Sequence, residues 1–500
     1  MKQLLLLFLL LFSSSSLASC PLGCGCDDDT LAVSCLHTDL QVMPITLNPG
    51  VRQLVLKFNE FTKVDASLAF YPSLTLLDLS SNRVSSLPAK VFQAQAKLRV
   101  LRLSENSLPS LLPQTFAGLH RLTHLSLRGN QLERLEVGVI NDLGHLTNLD
   151  LSNNQMKELG EGSLPPSLET LELNSNRLSS LPEGLSELPN LTHLSLGNNL
   201  LVKISLPPLP NLRQLDLSSN QLVDMPSSPP LPTLAWLNLG ENRLKAVPDL
   251  SLPSLLSLSL SGNPITSLLP QTLPSSLTSL NISHCSQLGE VQEGALVHLP
   301  LLVSLDLSHN RQLDFLPPAS LPNSLQSLDL TNCGFTSLEP ASLPPSLISL
   351  HLSDNPWLCS CRLAWMAKVI RTLLETSAEP MRRVRCLNPP TDLLPRDILT
   401  VDFDHCGNGG MADDEEGGGE ADEEDGLVFL LTIVFVSLVL VMVASLTSLL
   451  LVRRCRTSSS SSSSGASTLE SDYRSLPYPG DVRRRGEECM SNSLLSQNHI

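Results

Sequence analysis

Aromatic residues are scarce in this chain: three Trp, three Tyr and twelve Phe among 500 residues, 4% in all. A compact enzyme core leans on such rings, so the 42% hydrophobic fraction, dominated by Leu, must be buried in another way. Charge is sparse too, at 16%, and basic residues are the minority, 33 Lys and Arg against 49 Asp and Glu for a formal net charge of −16. That balance argues against nucleic acid as a partner. Catalytic signatures are also missing. No nucleophile elbow, phosphate loop or cluster of metal ligands can be read, and the histidines are scattered, which argues against an enzyme and implies no cofactor.

What the chain does contain is one frame repeated every 21 to 25 residues, Leu-x-x-Leu-x-Leu-x-x-Asn, from Leu54-x-Leu56-x-x-Asn59 to Leu350-x-Leu352-x-x-Asn355. Fourteen copies are present; the ninth position is Asn in all but two, where Cys285 and Cys333 replace it. Side chains alternate faces along a strand, so the paired leucines of each copy point inward and their neighbours point out. No copy buries its leucines alone, so the copies must stack and the two ends need covers. The expected fold class is an α/β leucine-rich repeat solenoid, a horseshoe with a parallel sheet on its concave side. The frame's Asn is expected inside, its amide satisfying backbone groups at the turn.

Cysteines supply the covers. Cys20, Cys24, Cys26 and Cys35 precede the repeats, and Cys359, Cys361, Cys386 and Cys406 follow them. Both sets read as disulfide caps; zinc, the competing reading, requires a reducing compartment and accompanying histidines that neither set has. Cys285 and Cys333 lie two strands apart, roughly 10 Å, which is too far to bridge. They read as buried free thiols.

Targeting signals frame the rest. Residues 1–19, with Lys2, a Leu/Phe run and small residues at 16–19, form a signal peptide. Leu427 to Val452 is an uncharged apolar stretch long enough to span a bilayer, followed at once by Arg453, Arg454 and Arg456. Nine acidic residues between Asp413 and Asp425 lie on its other side. The positive-inside rule then makes this a single-pass plasma-membrane protein with its amino terminus outside. The expected order is signal 1–19, cap 20–50, repeats 51–355, cap 356–406, acidic stalk 407–426, span 427–452 and a disordered cytoplasmic tail 453–500. The tail is too short for a signalling domain, so it would act by recruiting adaptors; Tyr473 and Leu476 form a candidate sorting signal, and Cys455 is a candidate for palmitoylation.

A solenoid binds on its concave sheet. His124, Glu172, His193, Gln214, Asp216, Trp236 and Asn238 are the candidate ligand contacts there, with Trp236 as hot spot unless it merely covers neighbouring backbone. From repeat 10 onward the outward positions turn to Ser257, Ser259, Ser279, Ser304, Ser327 and Ser349. Asn190-Leu191-Thr192 and Asn281-Ile282-Ser283 are glycosylation acceptors. A glycan on Asn281 would obstruct the serine-rich half, so either that half does not bind or the acceptor is unused.

The caps and repeats together, over residues 20–406, resemble the extracellular leucine-rich repeat family of transmembrane adhesion and ligand-binding proteins. In that family the segment Asn355-Pro356-Trp357-Leu358-Cys359-Ser360-Cys361, with Leu363, Trp365 and Met366, opens a C-terminal flanking module, and the resemblance implies pairs Cys359–Cys386 and Cys361–Cys406. The opening, Pro49-Gly50-Val51-Arg52-Gln53-Leu54 through Ser80-Ser81-Asn82, is vasorin-like, which implies a ligand of the transforming growth factor β type. The chain departs from that pattern, because Cys406 runs directly into the stalk where vasorin-like proteins carry EGF and fibronectin type III modules. Return segments such as Leu164-Pro165-Pro166-Ser167-Leu168 resemble small leucine-rich proteoglycans. The functions these resemblances imply are sequestration of a growth factor, cell adhesion, and service as a pattern-recognition co-receptor; all need an extracellular protein ligand.

Overall fold

The computed structural model describes residues 19–140, 143–225, 231–250, 252–376, 384–388, 396–401, 403 and 406. The span at 427–452, the stalk, Cys455, Tyr473 and Leu476 lie outside the described residues. Among those that are described, no helix is long and apolar enough to cross a membrane.

One sheet of sixteen strands runs through the repeats. It begins with an antiparallel hairpin in the first cap, Gly25–Asp27 and Ala32–Ser34, and continues with fourteen parallel strands from Gln53–Val55 to Ser349–His351. Each is three residues long with a buried central Leu, and the leucines stand in register, Leu171 beside Leu194, Leu215 and Leu237. Such short strands are stable only because each but the last is paired on both sides and their leucines fill a continuous core.

The frame's Asn closes the turn in most repeats. Asn199 Nδ2 donates to the carbonyls of Leu173 (3.0 Å), Leu196 (3.0 Å) and Gly197 (3.2 Å), and Oδ1 accepts from the Leu178 N–H at 3.0 Å. Nearly the same set recurs at Asn82, Asn106, Asn130, Asn154, Asn176, Asn220, Asn242 and Asn263. The residue just before each Asn turns left-handed, as at Ser175 (φ 55°), Asn198 (φ 53°) and Ser219 (φ 52°), a conformation that the Gly, Asn, Asp and His found there in other repeats adopt more readily than most residues.

The α/β expectation needs correcting on the convex side. Among the described residues no repeat carries an α-helix; the return segments are turns, short 3₁₀ helices (Ala66–Phe70, Glu183–Glu187, Pro340–Ser342) and two small ladders, such as Arg134–Leu135 against Glu158–Leu159. Repeats this short leave no room for a helix of stable length, and Leu-Pro-Pro-Ser-Leu returns lack the N–H groups that would build one.

The α-helix that is described, Ala364–Thr376, belongs to the second cap, where Met366, Ala367 and Ile370 are buried. Trp357, also buried, donates from Nε1 to the Leu352 carbonyl at 2.8 Å and so seals the last repeat. Disulfides join Cys20 to Cys26, Cys24 to Cys35, Cys359 to Cys386 and Cys361 to Cys406.

Cys285 and Cys333 are unpaired and buried. Their thiols reach the Leu260 and Leu307 carbonyls at 3.5 and 3.2 Å, weak replacements for an amide. Repeat 11 also holds one extra residue after its Cys: Leu288 donates to the Cys285 carbonyl at 2.8 Å, and the buried Asn310 Oδ1 is left without a partner. Burial pushes both thiols up to about 11. They should resist iodoacetamide at neutral pH until the chain unfolds. Because the folded state holds these protons more tightly than the unfolded state, whose thiols titrate near 9, their contribution is full below about pH 9 and lost as pH rises through about 11. Alkaline melts of the Cys285→Ser, Cys333→Ser variant should lack that part of the decline.

Candidate ligand-binding face

Outward side chains form two rows across the concave sheet. In the first row His193, Gln214, Trp236 and Ser257 stand side by side; in the second come Glu172, Ser195, Asp216, Asn238 and Ser259. Trp236 is 36% exposed, so its ring lies on the sheet rather than in the core. Glu172, His193, Asp216 and Asn238 are half-buried, and Gln214 is exposed. These six fall within four neighbouring repeats. His124 does not join them: it sits in repeat 4, five strands from Trp236, roughly 24 Å at the spacing of a sheet.

Local bonds orient several of these groups. The His193 ring meets the Thr192 hydroxyl at 2.7 Å through Nδ1, and His124 repeats the contact with Thr123 at 2.8 Å. Glu172 accepts from Asn174 Nδ2 at 3.3 Å, and Asn174 Oδ1 in turn accepts from the Gly197 N–H at 2.7 Å.

Asp216 and Asn238 have a second duty. Asp216 Oδ1 accepts from the Ser218 N–H and Asn238 Oδ1 from the Gly240 N–H, each at 3.0 Å. The same bond recurs at Asp78, Asp150, Asn281, Asp306 and Asp329. The N–H two residues on faces away from the next strand and would otherwise go unpaired, so these side chains close the strand ends. Recurrence of Asp and Asn at this one strand position is the sequence signal of that role.

Toward the N-terminal end the concave cations are already partnered: Arg102 with Asp78 (3.5 Å) and Arg128 with Glu105 (3.9 Å). On the trailing edge, where the chain leaves the strands, Leu200, Val202 and Val223 are each nearly half exposed on adjacent repeats. Sequence reasoning passed over them. Other repeats hold Arg83, Arg177, Gln221 or Arg243 at the first of these positions, so the break in a polar column could have flagged them.

The C-terminal half offers less grip. Ser257, Ser279, Ser304, Ser327 and Ser349 form one row, and His351 meets Asp329 at 3.3 Å in the next. Asn281 stands in that half, its Oδ1 accepting from the Ser283 N–H and hydroxyl at 2.9 and 2.8 Å. Asn190 is exposed at the leading edge, where the chain enters the strands.

Family comparison agrees with this geometry. Leucine-rich repeat profiles match residues 72–132 and 166–222, and again 211–237, 254–275 and 324–345. These segments of the chain are leucine-rich repeats. Among curated leucine-rich repeat relatives, Homo sapiens oligodendrocyte-myelin glycoprotein is 39% identical over 90 residues, 18% of this chain and 20% of that protein. Mus musculus podocan-like protein 1 is 31% identical over 177 residues, 34% of this chain and 27% of that protein. The matches therefore span well under half the length of either relative. Among solved structures, a leucine-rich repeat protein of Leptospira interrogans superposes with a TM-score of 0.56 at 27% identity, covering 69% of this chain and 93% of that one. The APL1 leucine-rich repeat domain gives 0.53 at 26%, covering 70% and 91%. The Toll–Spätzle complex of Drosophila gives 0.57 at 21%, covering 73% and 56%, a likeness of fold alone.

Proposed function

We propose that this leucine-rich repeat chain is a single-pass plasma-membrane receptor, amino terminus outside, that binds a protein ligand on the concave face of repeats 6–9. The observation that carries the reading is Trp236, a ring 36% exposed on the sheet, beside Gln214 and on the same face as Asp216, Asn238 and, two strands away, His193. A large amphipathic ring amid polar groups is the usual anchor of a protein interface. A leucine-rich repeat scaffold offers a rigid binding face, and the same fold occurs in the Toll–Spätzle complex. The signal peptide, the span Leu427–Val452 and four disulfides all favour an oxidising, extracellular setting. On this reading the tail meets cytoplasmic adaptors through Tyr473 and Leu476, and Asn190 and Asn281 accept glycans.

The vasorin-like opening favours sequestration of a growth factor of the transforming growth factor β type. The full chain, displayed on cells, should be screened against dimers of that class, against membrane-protein ectodomains including its own, and against microbial cell-wall fragments. Saturable binding of a growth-factor dimer supports the trap. Binding to ectodomains alone makes the chain an adhesion molecule, and binding to microbial fragments alone a pattern-recognition co-receptor. No binding in any arm rejects the receptor reading.

A further inference from the structure

The leading edge of the sheet is polarised. At the two outward positions flanking the first Leu of each frame, repeats 1–5 carry Arg52, Lys97, Arg99 and Arg121, with His145 beside them and not one carboxylate. All four cations are exposed, and none of them enters an ion pair among the described residues. Elsewhere on the same repeats, by contrast, Arg83, Arg102, Arg128 and Arg134 are each paired with a carboxylate. The intervening threonines are occupied: Thr75 and Thr123 donate their hydroxyls to the Arg52 and Arg99 carbonyls, each at 3.0 Å. In repeats 10–14 the same two positions hold no charge at all and expose Leu256, Leu301, Val303 and Ile348.

Register puts Arg52, Thr75, Arg99 and Thr123 in one line, one residue ahead of the paired row Gln53, Leu76, Val100 and His124. Lys97 and Arg121 lie just outside that line on neighbouring repeats. The result is a cationic strip across repeats 1–4, three strand spacings or roughly 14 Å long, since strands are spaced about 4.8 Å apart. Exposed guanidinium and ammonium groups that enter no ion pair, grouped along one edge, attract a polyanion.

We propose that this strip binds a linear sulfated polysaccharide of the glycosaminoglycan class, independently of the concave face. At the flanking positions themselves no aromatic side chain stands between the four cations, so nucleic-acid bases would find no stacking platform there. Phe70, exposed on the return segment of the intervening repeat, is a single ring, whereas insertion into a lipid surface takes an extended apolar face. A flexible polymer carrying sulfates at regular intervals needs neither feature.

The test is retention of the purified full-length chain on immobilised heparin. The comparison is the Arg52→Ser, Lys97→Ser, Arg99→Ser, Arg121→Ser variant, in which the basic segments near Arg453 and Arg483 are unchanged. Native protein should be retained at physiological ionic strength and released by added salt. The variant, with an unchanged melting temperature, should bind about tenfold or more weakly, because several exposed contacts of small individual worth are lost together. Soluble heparin should protect Lys97 from acylation and leave the exposed Lys245 reactive. Equal retention of both proteins, equal protection of both lysines, or displacement by RNA or anionic vesicles as effective as by heparin would overturn the proposal. Binding here is read in solution, so failure of the receptor reading would not mimic failure of the strip.

Discussion

Asn199→Ala should cost the solenoid about 1–3 kcal/mol, measured as the shift of the urea unfolding curve. Removing the amide strands the Leu178 N–H, which donates to Asn199 Oδ1 at 3.0 Å, while the Leu173 and Leu196 carbonyls each keep one donor, Asn176 Nδ2 and Asn220 Nδ2, at the same distance. Each buried backbone group left unpaired costs about 1–3 kcal/mol. No relaxation repairs the loss, because those groups belong to two stacked repeats whose strands hold them in place. Stability in a solenoid sums over neighbours, so the weakened junction should also lower cooperativity and let the two sides unfold separately. A shift below about 1 kcal/mol would mean that water satisfies the turn and that the Asn ladder is not what fixes repeat spacing.

The repeats were legible because their signal is periodic and their chemistry obligatory. Leu at two closely spaced strand positions must be buried, and a buried Asn must find partners, so both rows follow from the spacing alone. The convex side was not legible in the same way. The α/β class label implied helices there, but Pro165, Pro166, Pro344 and Pro345 sit in segments too short for helical hydrogen bonding. The same limit applied to the site. That Trp236 faces outward follows from the alternation of a strand, whereas the use of Asp216 and Asn238 to close strand ends depends on which backbone N–H groups the neighbouring strand leaves free. The exposed Leu200, Val202 and Val223 were hidden by their ordinary composition, since single exposed apolar residues carry no meaning until their neighbours are placed.

Trp236→Ala combined with Glu172→Ala should weaken ligand binding by about 30-fold or more, the usual consequence of removing an aromatic hot spot of roughly 2 kcal/mol or above. Both side chains stand on the outer face of the sheet, and the Leu171 and Leu237 beside them stay in the core. The double variant should therefore keep its melting temperature, with a stability change within about 1 kcal/mol. Loss of binding with intact folding separates a contact role from the alternative in which Trp236 only shields neighbouring backbone; in that case stability would fall and affinity would not.

The most direct test of a ligand site on repeats 6–9 is to place a glycan on each half of the concave sheet in turn. Asp216-Leu217-Ser218 and Asp306-Leu307-Ser308 become glycosylation acceptors on Asp216→Asn and Asp306→Asn. In each case the new side chain retains the oxygen that accepts from the Ser218 N–H at 3.0 Å or the Ser308 N–H at 2.9 Å, as Asn281 already does at 2.9 Å with Ser283. Both variants, displayed on cells and confirmed as glycosylated by their gain in mass, would be titrated with the protein partner captured in the screen. The account predicts that the Asp216→Asn glycan abolishes binding and the Asp306→Asn glycan leaves it within about twofold, since a surface change away from the interface alters affinity little. Undiminished binding by the glycosylated Asp216→Asn variant, or loss confined to Asp306→Asn, would contradict it.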